Sequence, residues 1–365
     1  MDLPSDRPPA PRGRLIARGA ADNPANRFER LRTVADADLE PPPDGEDGEP
    51  PPVPTLYLRD PTRTLLAHND SPDLGFDTSL NPYRGCSHGC SYCYARPTHE
   101  YLGFSAGLDF ETRILVKEDA PELLRKALAS PRWEPRVVAL SGVTDAYQPV
   151  EAKLRLTRRC LEVFAEFRNP VAVVTKSALV ARDADLLGEL ASVGAATVHV
   201  SITTLDDDLR RALEPRASSP RSKLAAIETL TAAGVPVGVM CAPVIPGLND
   251  AEIPAILEAA ARAGAVRAAH VVLRLPHGVA EIFEGWLERH RPERRARVMA
   301  RIREVRGGRT NDPRFHSRMR GEGVYAEQIH ALFELARRRA GLANERPPLS
   351  TAAFRRPGTA QLSLL

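Results

Sequence analysis

Apolar positions in the middle of the chain follow two alternating patterns. Six short runs rich in β-branched residues are typical of buried strands, and the longer segments between them repeat apolar residues every three or four positions, as helices do. Several helical segments begin at Asp, Ser or Thr and end at Gly. The strand candidates are a run leading into Cys86 and the segments RVVALSG (136–142), VAVVTKS (171–177), ATVHVSIT (196–203), VPVGVMCAPV (235–244) and AHVVLRLP (269–276).

The alternation of strand and helix predicts an α/β protein built from parallel β/α units, because continuous apolar strands are typical of sheets covered on both faces. Six repeats make either an incomplete barrel or an open doubly wound sheet. In both, chemistry takes place at the C-terminal ends of the strands. Three of the five cysteines follow the first predicted strand.

The composition changes near both ends of the chain. The tract LEPPPDGEDGEPPPVP (39–54) is too rich in proline, glycine and acid to bury much apolar surface. We therefore predict a flexible basic and proline-rich extension (1–55), a β/α core (56–290), a basic helical region packed on the core (291–340) and a flexible tail (341–365). The segment GRLIARGAADNPANRFE (13–29) is less biased in composition, and the sequence does not decide whether it docks on the core.

Length and composition limit the class of protein. A chain of 365 residues with 43% hydrophobic content can fill a sizeable core. It holds no apolar run of about 18 residues and no secretory signal, so we expect a cytoplasmic protein without a membrane partner. Thiols stay reduced in that compartment, and an odd number of cysteines favours a metal site over a disulfide framework.

The spacing of three cysteines identifies the kind of site. Cys86, Cys90 and Cys93 form a C-x3-C-x2-C pattern on a loop that contains glycine. Three thiolates can hold three corners of a [4Fe–4S] cluster and leave the fourth iron open for reaction. The alternatives are a zinc site completed by His88 or His99, and structural cysteines without metal. Zinc sites usually draw on two separated cysteine or histidine pairs, and no second pair is present here.

This pattern, with an aromatic residue before the third cysteine on the loop after the first strand, resembles the radical S-adenosylmethionine (SAM) superfamily. Within residues 76–280, the segments CSYCYA, SGVTDAYQPVE, VVTKS and VSITTLDDDLRRALEPRA are similar to the branch that includes spore photolyase. The resemblance implies a partial (βα)6 barrel, a [4Fe–4S] cluster on the three cysteines, and SAM bound at the open iron. It also implies reductive cleavage of SAM to a 5′-deoxyadenosyl radical, and an electron donor such as a flavodoxin or ferredoxin.

The same resemblance suggests which residues contact SAM. The family's contacts to the adenine, methionine and ribose groups fall on Tyr92, Ser141, Gly142, Lys176 and Ser201. Each of these could also be an ordinary loop or strand-end residue. Lys176 is the most specific of them, because an ammonium that follows four apolar residues needs an anionic partner.

The segment TDAYQPVE, just after the second predicted strand, offers substrate-facing residues. Asp145, Tyr147, Gln148 and Glu151 lie there, at the edge of the sheet where catalysis is expected. The alternative is an ordinary loop that starts a helix, with Glu151 in its first turn.

The sequence departs from spore photolyase at the residue that returns a hydrogen atom to the repaired thymine. The relative has a cysteine where this chain has Ala139. Cys160 and Cys241 are predicted first as small buried residues. Cys241, on the fifth predicted strand, is the candidate hydrogen donor. The departure puts thymine-dimer repair in doubt but leaves the cluster chemistry intact.

Basic residues and the chain terminus suggest partners. The net charge is only +3, but residues 288–309 are rich in arginine, which predicts either a solvated helix face or a phosphate-contacting surface. The chain closes with Gln361, Leu362, Ser363, Leu364 and Leu365. This QLSLL segment resembles the peptide by which bacterial repair proteins attach to the sliding clamp; alternatively, the tail packs on the core.

These observations predict a radical SAM enzyme, with DNA as the favoured substrate in a reaction similar to DNA repair. Two alternatives remain open: a radical SAM enzyme that acts on a protein or metabolite, and a non-catalytic iron–sulfur protein that binds a partner or senses redox state.

Overall fold

The computed structural model describes residues 15–29, 52–344 and 348–357. Within these ranges the strands are β1 (Leu56–Arg59), β2 (Leu66–His68), β3 (Thr78–Leu80), β4 (Tyr83–Arg84), β5 (Arg113–Val116), β6 (Val138–Leu140), β7 (Val171–Thr175), β8 (Ala196–Ser201), β9 (Val237–Val244) and β10 (Arg267–Val272). The α-helices are α1 (Leu108–Thr112), α2 (Ala120–Ala129), α3 (Glu151–Leu154), α4 (Leu156–Phe167), α5 (Ala184–Ser192), α6 (Asp207–Leu213), α7 (Pro220–Ala232), α8 (Ile253–Arg262), α9 (Val279–His290), α10 (Pro292–Glu304), α11 (Ser317–Arg320) and α12 (Val324–Arg339). Short 3₁₀ helices span Arg96–Leu102, Ala178–Asp183 and Asp250–Glu252.

The main sheet has seven strands in the order β10-β9-β8-β7-β6-β3-β2. Six of them, β3 and β6 to β10, pair in parallel and in chain order, and β2 pairs antiparallel with β3 at one edge. These six strands correspond to the six predicted from the sequence. The prediction of an α/β fold of the partial (βα)6 type is confirmed, and the sheet is open between β10 and β2 in the part of the chain that the structure describes.

The two faces of this sheet differ in chemistry. Successive residues of a strand point to opposite faces. In β8, Val198 and Val200 are fully buried in the large apolar cluster that also contains residues of α4, α5 and α8. Residues Thr197, His199 and Ser201 occupy the other face, which carries polar groups up to the C-terminal strand ends.

A second, three-stranded sheet, β1-β5-β4, supports the cysteine loop. Its strand β4 ends at Arg84, two residues before Cys86. Arg84 Nε donates a 2.7 Å hydrogen bond to the nearly buried carboxylate of Asp60. Glu100, on the segment that follows the loop, is also nearly buried and pairs with Arg27.

Residues 15–29, which the sequence assigns to the N-terminal extension, lie against the core. Ala20 is buried in a small apolar cluster with Leu108 and Ile282. Residues 1–14 and 30–51 of the extension, which include most of the predicted linker, and the tail segment Gln361–Leu365 lie outside the described residues.

The C-terminal region contributes three helices. Within α12, Ile329 and Phe333 are buried in the main apolar cluster, and in α10 the buried residues are Val298, Met299 and Ile302. No helix among the described residues is long and apolar enough to cross a membrane.

Candidate active site

The three cysteines lie on one tightly folded loop after β4. Cys86 and Cys90 are buried, Cys93 is half-buried, and all three are free thiols. The Cys86 amide donates to Phe110 O at 2.9 Å, and the Cys93 amide donates to Cys90 O at 3.3 Å. Gly89 between them has φ +68°, a conformation that favours glycine.

The donor set fits an iron–sulfur cluster. Burial, followed by the charge of the nearby Cys86, raises the pKa of the Cys93 thiol to about 11. Crowded, buried thiols of this kind become thiolates only beside a positive charge, which iron supplies. Among the described residues, no group of three or more His, Cys, Asp or Glu side chains is arranged to hold a single metal ion.

The two histidines near the loop have other partners. His99 Nε2 lies 2.8 Å from Arg113 O, its ring packs edge-on against Phe110, and burial lowers its pKa to about 4. His88 is buried, and its Nδ1 lies 3.4 Å from the carboxylate of Asp145. The His99 ring is thus held by groups other than the cysteines, whereas His88 lies beside both Asp145 and Cys86.

Gln148 ties the cysteine loop to the loop after β6. Its Oε1 accepts a 2.9 Å hydrogen bond from Ser87 N, and its Nε2 donates to Gly85 O at 3.2 Å and to Thr144 Oγ1 at 3.3 Å. The side chain is fully buried. The sequence predicts Gln148 as a substrate-facing residue, whereas its hydrogen bonds in the structure join two loops of the protein.

Asp145 joins neighbouring strand ends. Its carboxylate accepts hydrogen bonds from Thr175 Oγ1 and from the Lys176 amide, both at 2.7 Å. Burial opposes ionisation, but His88 and these donors outweigh it and lower the pKa of Asp145. The residue is therefore an anion at neutral pH, held beside the cysteine loop.

The other two residues predicted in this segment are enclosed by protein. Glu151 is fully buried and accepts hydrogen bonds from Tyr83 (2.6 Å), from the Thr157 amide (2.9 Å) and from Arg182 (2.7 Å). Tyr147 is also fully buried. Because the oxygens of Glu151 are satisfied by protein donors, its placement supports the structural interpretation of a helix start rather than a substrate-facing acid.

Lys176 has the anionic partner that its position requires. Its Nζ lies 3.0 Å from Glu214 Oε1 and donates to Ser201 Oγ at 3.1 Å, to Thr203 Oγ1 at 2.9 Å and to Ala242 O at 2.7 Å. The structure thus brings Lys176 and Ser201, two of the predicted SAM contacts, together at the ends of β7 and β8.

Glu214 is the centre of this polar network. It is fully buried, pairs with Lys223 Nζ at 2.9 Å, and accepts a hydrogen bond from the Tyr92 hydroxyl. Burial alone would raise its pKa, but Lys176 and Lys223 lower it strongly. The Tyr92 side chain therefore reaches inward from the cysteine loop, and the loop and the strand ends form one connected site.

Ser141 and Gly142 form the turn after β6. Ser141 has φ +95°, and its Oγ accepts a 3.2 Å hydrogen bond from Ala146 N. Gly142 O accepts a 2.6 Å hydrogen bond from the hydroxyl of Tyr94, the residue that follows Cys93. This contact places the turn beside the cysteine loop.

Cys241 lies away from these groups. It shares one face of β9 with Val237 and Val239, in the helix-covered apolar cluster. It is 2% exposed, and burial raises its pKa to about 12. Since Ser201 belongs to the opposite face of the sheet, this placement does not support Cys241 as the hydrogen donor. His199 shares its face with Ser201.

Comparison with known proteins identifies the family. Residues 80–260 match the family model of the Radical SAM superfamily. An uncharacterized protein from Mycobacterium tuberculosis is 38% identical over 234 residues, which are 64% of this chain and 68% of the relative. One from Methanocaldococcus jannaschii is 31% identical over 173 residues, which are 47% of this chain and 62% of that relative.

Solved structures with a similar fold include a spore photoproduct lyase complexed with a dinucleoside spore photoproduct. The match has a TM-score of 0.54 and 16% identity, and covers 78% of this chain and 80% of the lyase. A mutant of that lyase gives a TM-score of 0.54 at 15% identity, covering 82% and 88% of the two chains. At this identity the likeness shows the fold alone. Together with the family match, it confirms the resemblance read from the cysteine motif, and the chain belongs to the radical SAM superfamily.

Proposed function

We propose that this radical SAM enzyme acts on a nucleotide of DNA, in a reaction of the repair type. Its membership of the superfamily makes it an enzyme whose cofactors are a [4Fe–4S] cluster and SAM. The substrate is the new element of the proposal. The observation that carries it is an exposed tyrosine stacked with an arginine at the edge of the cysteine loop.

Cys86, Cys90 and Cys93 would hold three corners of the cluster. When bound, the cluster supplies the electron that cleaves SAM to methionine and a 5′-deoxyadenosyl radical. The loop itself is largely closed to solvent, since Cys86 and Cys90 are each 7% exposed. Exclusion of water protects a reactive intermediate from side reactions.

The polar groups at the strand ends would bind SAM. Lys176 and Ser201 lie side by side, and the Lys176 side chain is 18% exposed. Ser141 and Gly142 present a small polar turn next to the cysteine loop. The Tyr92 hydroxyl is engaged with Glu214, which fixes the position of the Tyr92 backbone on the loop. These contacts support the assignment of the five residues to SAM binding.

Tyr94 and Arg274 would receive the nucleotide. Tyr94 is 46% exposed although it follows Cys93 directly. The guanidinium carbon of Arg274 lies 4.3 Å from the centre of the Tyr94 ring. Aromatic rings paired with arginine are the common platform on which unstacked bases rest, and stacking of one base contributes about 1–3 kcal/mol. A damaged base would have to leave the helical stack to reach a buried site.

Further basic and aromatic side chains support a nucleic-acid surface. Arg318 lies over the exposed ring of Phe315, with 4.7 Å between the guanidinium carbon and the ring centre. On α10, Arg294, Arg297 and Arg303 are exposed. Such groups contact phosphates without reading sequence.

The first experiment measures SAM cleavage. The anaerobically reconstituted, dithionite-reduced protein is incubated with SAM, and 5′-deoxyadenosine is quantified by mass spectrometry without DNA, with undamaged DNA and with ultraviolet-irradiated DNA. We expect irradiated DNA to change the yield of 5′-deoxyadenosine and to be altered itself. Binding of DNA should weaken steeply as salt rises.

Tyr94→Ala tests the stacking platform. We expect it to weaken binding of single-stranded DNA by roughly tenfold, in keeping with the loss of one stacked base. Tyr101→Ala is the matched control, because Tyr101 is 73% exposed but lies beside Phe28, away from the cysteine loop. Equal DNA binding by both variants and the wild type would count against the DNA proposal. SAM cleavage without DNA binding would then favour a protein or metabolite substrate, and no cleavage would favour a redox sensor.

A further inference from the structure

We infer that residues 15–29 form a strap that holds the cysteine loop in its cluster-binding conformation, so that the strap is a working part of the cofactor site. The strap lies outside residues 80–260, which match the family model. The inference holds whatever the substrate is, because it concerns only how firmly the loop is held.

A chain of hydrogen bonds joins the strap to the cysteine loop. The fully buried carboxylate of Glu111 accepts bonds from Gly19 N at 3.1 Å and from Ala20 N at 2.9 Å. The same carboxylate pairs with Arg96 at 3.0 Å, and Arg96 Nε donates to Cys90 O at 3.0 Å. A cation and an anion that are both fully buried are costly to separate, so the strap is connected to a cluster ligand through a firm link.

Backbone contacts between glycines bring the strap against the loop. A Cβ atom added at Gly19 would lie 1.7 Å from Gly89 O and 3.0 Å from Ser91 N. Likewise, a Cβ atom at Gly107 would lie 2.0 Å from Asp22 O. Any side chain at Gly19 must therefore push the strap and the cysteine loop apart.

The rest of the strap is fastened to the segment that follows the loop. Asn26 Nδ2 donates to Glu100 O at 2.9 Å and to Phe104 O at 2.8 Å, and Arg27 pairs with Glu100 at 2.7 Å. Ser105 Oγ donates to Pro24 O at 2.6 Å. Since residues 15–29 contain no helix or strand, these contacts to the core are what hold the segment in place.

The arrangement predicts how the strap affects the cluster. The strap fixes Cys90 O through Glu111 and Arg96, and covers Gly89. Groups that orient metal ligands from outside the ligand set typically change metal retention by about 10- to 100-fold when they are removed. A displaced strap should therefore let iron leave faster, even though all three cysteines are intact.

The test measures loss of iron from the full-length, anaerobically reconstituted protein to a coloured iron chelator. We expect Gly19→Ala to lose iron roughly tenfold faster than wild type or more. Glu111→Gln, which keeps the side-chain shape but removes its charge, should do the same without a steric clash. The matched control is Gly285→Ala in α9, where the added Cβ would meet only the end of the Arg289 side chain at 3.3 Å.

A second readout separates a positioning role from a merely structural one. Trypsin cleaves after Arg18, whose guanidinium donates to Glu111 O and Val53 O. Cleavage there should be slower in the cluster-loaded protein than in the apoprotein, because loop and strap stabilise each other. Iron loss at the wild-type rate in both variants would overturn the inference, and so would cleavage after Arg18 at equal rates with and without the cluster.

Discussion

At the scale of single residues, the cysteines separate into two groups by their surroundings. Cys86, Cys90 and Cys93 share one loop and pack into two smaller apolar clusters, whereas Cys160 and Cys241 lie in the main apolar cluster. Burial raises the pKa of Cys160 above its usual range. Burial raises the pKa of these two thiols as it does that of Cys93, so what separates the groups is that the three loop thiols lie together in one segment that can share a metal.

Replacing any loop cysteine by alanine should abolish the cluster or leave it labile, because each thiolate would hold one corner. Iron content and the brown chromophore after anaerobic reconstitution measure this. Cys160→Ala should retain full iron and serves as the control. Full iron and unchanged SAM cleavage in all three loop variants would contradict the cluster assignment.

The Glu214 network gives a second prediction at this scale. Lys223 is 1% exposed and its ammonium pairs with Glu214. Lys223→Met should lower the free energy of unfolding by about 3 kcal/mol, since it leaves a buried carboxylate with one cation fewer. Urea unfolding of the apoprotein measures this, with Lys126→Met on the exposed face of α2 as control. Equal stability of the two variants would show that Lys176 alone compensates Glu214.

At the scale of elements, the loop after β6 is what brings the cysteine loop to the strand ends. Gln148 bonds to two backbone groups of the cysteine loop, Ser87 N and Gly85 O, and Tyr94 bonds to Gly142 O in return. These contacts run in both directions, so the two loops should move as a unit.

Gln148→Leu should uncouple these two loops. It keeps the volume of the side chain but leaves buried polar partners without hydrogen bonds, at a cost of about 1–3 kcal/mol for each unsatisfied group. We expect a lower melting temperature and faster iron loss than in wild type. A wild-type melting curve for Gln148→Leu would be the contrary result.

The contact between β10 and α12 gives a pH-dependent prediction. The His270 ring lies 4.2 Å from the ring of Phe333 and 5.6 Å from that of His330. Burial, followed by the charges of His330 and Arg320, lowers the pKa of His270 to about 4, against the smaller opposing effect of Glu334. Because the folded pKa is below the unfolded value, the contribution to stability is complete above about pH 6.5 and is lost as the pH falls towards 4.

Lowering the pH from 7 to 4 should therefore remove roughly 3 kcal/mol through His270 alone. His270→Phe cannot be protonated and should flatten this part of the pH–stability curve, which urea unfolding at a series of pH values measures. The exposed His277 is the control site, and His277→Phe should leave the curve unchanged. A His270→Phe curve parallel to wild type would contradict the assignment.

At the scale of the whole molecule, distant segments meet around one loop. The cysteine loop contacts the strap, the turn after β6, and the end of α6, where Ser91 N donates to Leu213 O at 3.0 Å. The proposed SAM site and the proposed nucleotide platform thus depend on segments from residue 19 to residue 274. DNA binding and SAM cleavage should therefore not depend on the last five residues of the chain.

Deletion of Gln361–Leu365 tests that separation. This segment lies outside the described residues, and its attachment to a sliding clamp stays a prediction. The truncated protein should cleave SAM at the wild-type rate but lose association with purified clamp in a pull-down. Absence of clamp binding by the full-length protein would end this interpretation of QLSLL.

The sequence by itself determined the features that rest on local pattern. The alternation between strand-like and helix-like spacing of apolar residues depends only on neighbouring positions. This alternation predicted the six parallel strands and their order. The proposed cluster ligands follow from the sequence because three cysteines within eight residues must lie on one loop. The need of Lys176 for an anion was also predictable, since an ammonium at the end of a buried strand must be compensated.

Only the tertiary structure decided which distant residues supply the partners. Glu214 and Lys223 compensate the charges at the strand ends, and Glu111 joins the strap to the loop across 91 positions of the chain. The sequence placed Glu151 and Cys241 near the chemistry, but the fold encloses Glu151 among protein donors and turns Cys241 towards the helices. Which buried charges pair, and which face of the sheet a strand residue occupies, depend on packing between segments far apart in the chain. Local sequence patterns do not carry this information.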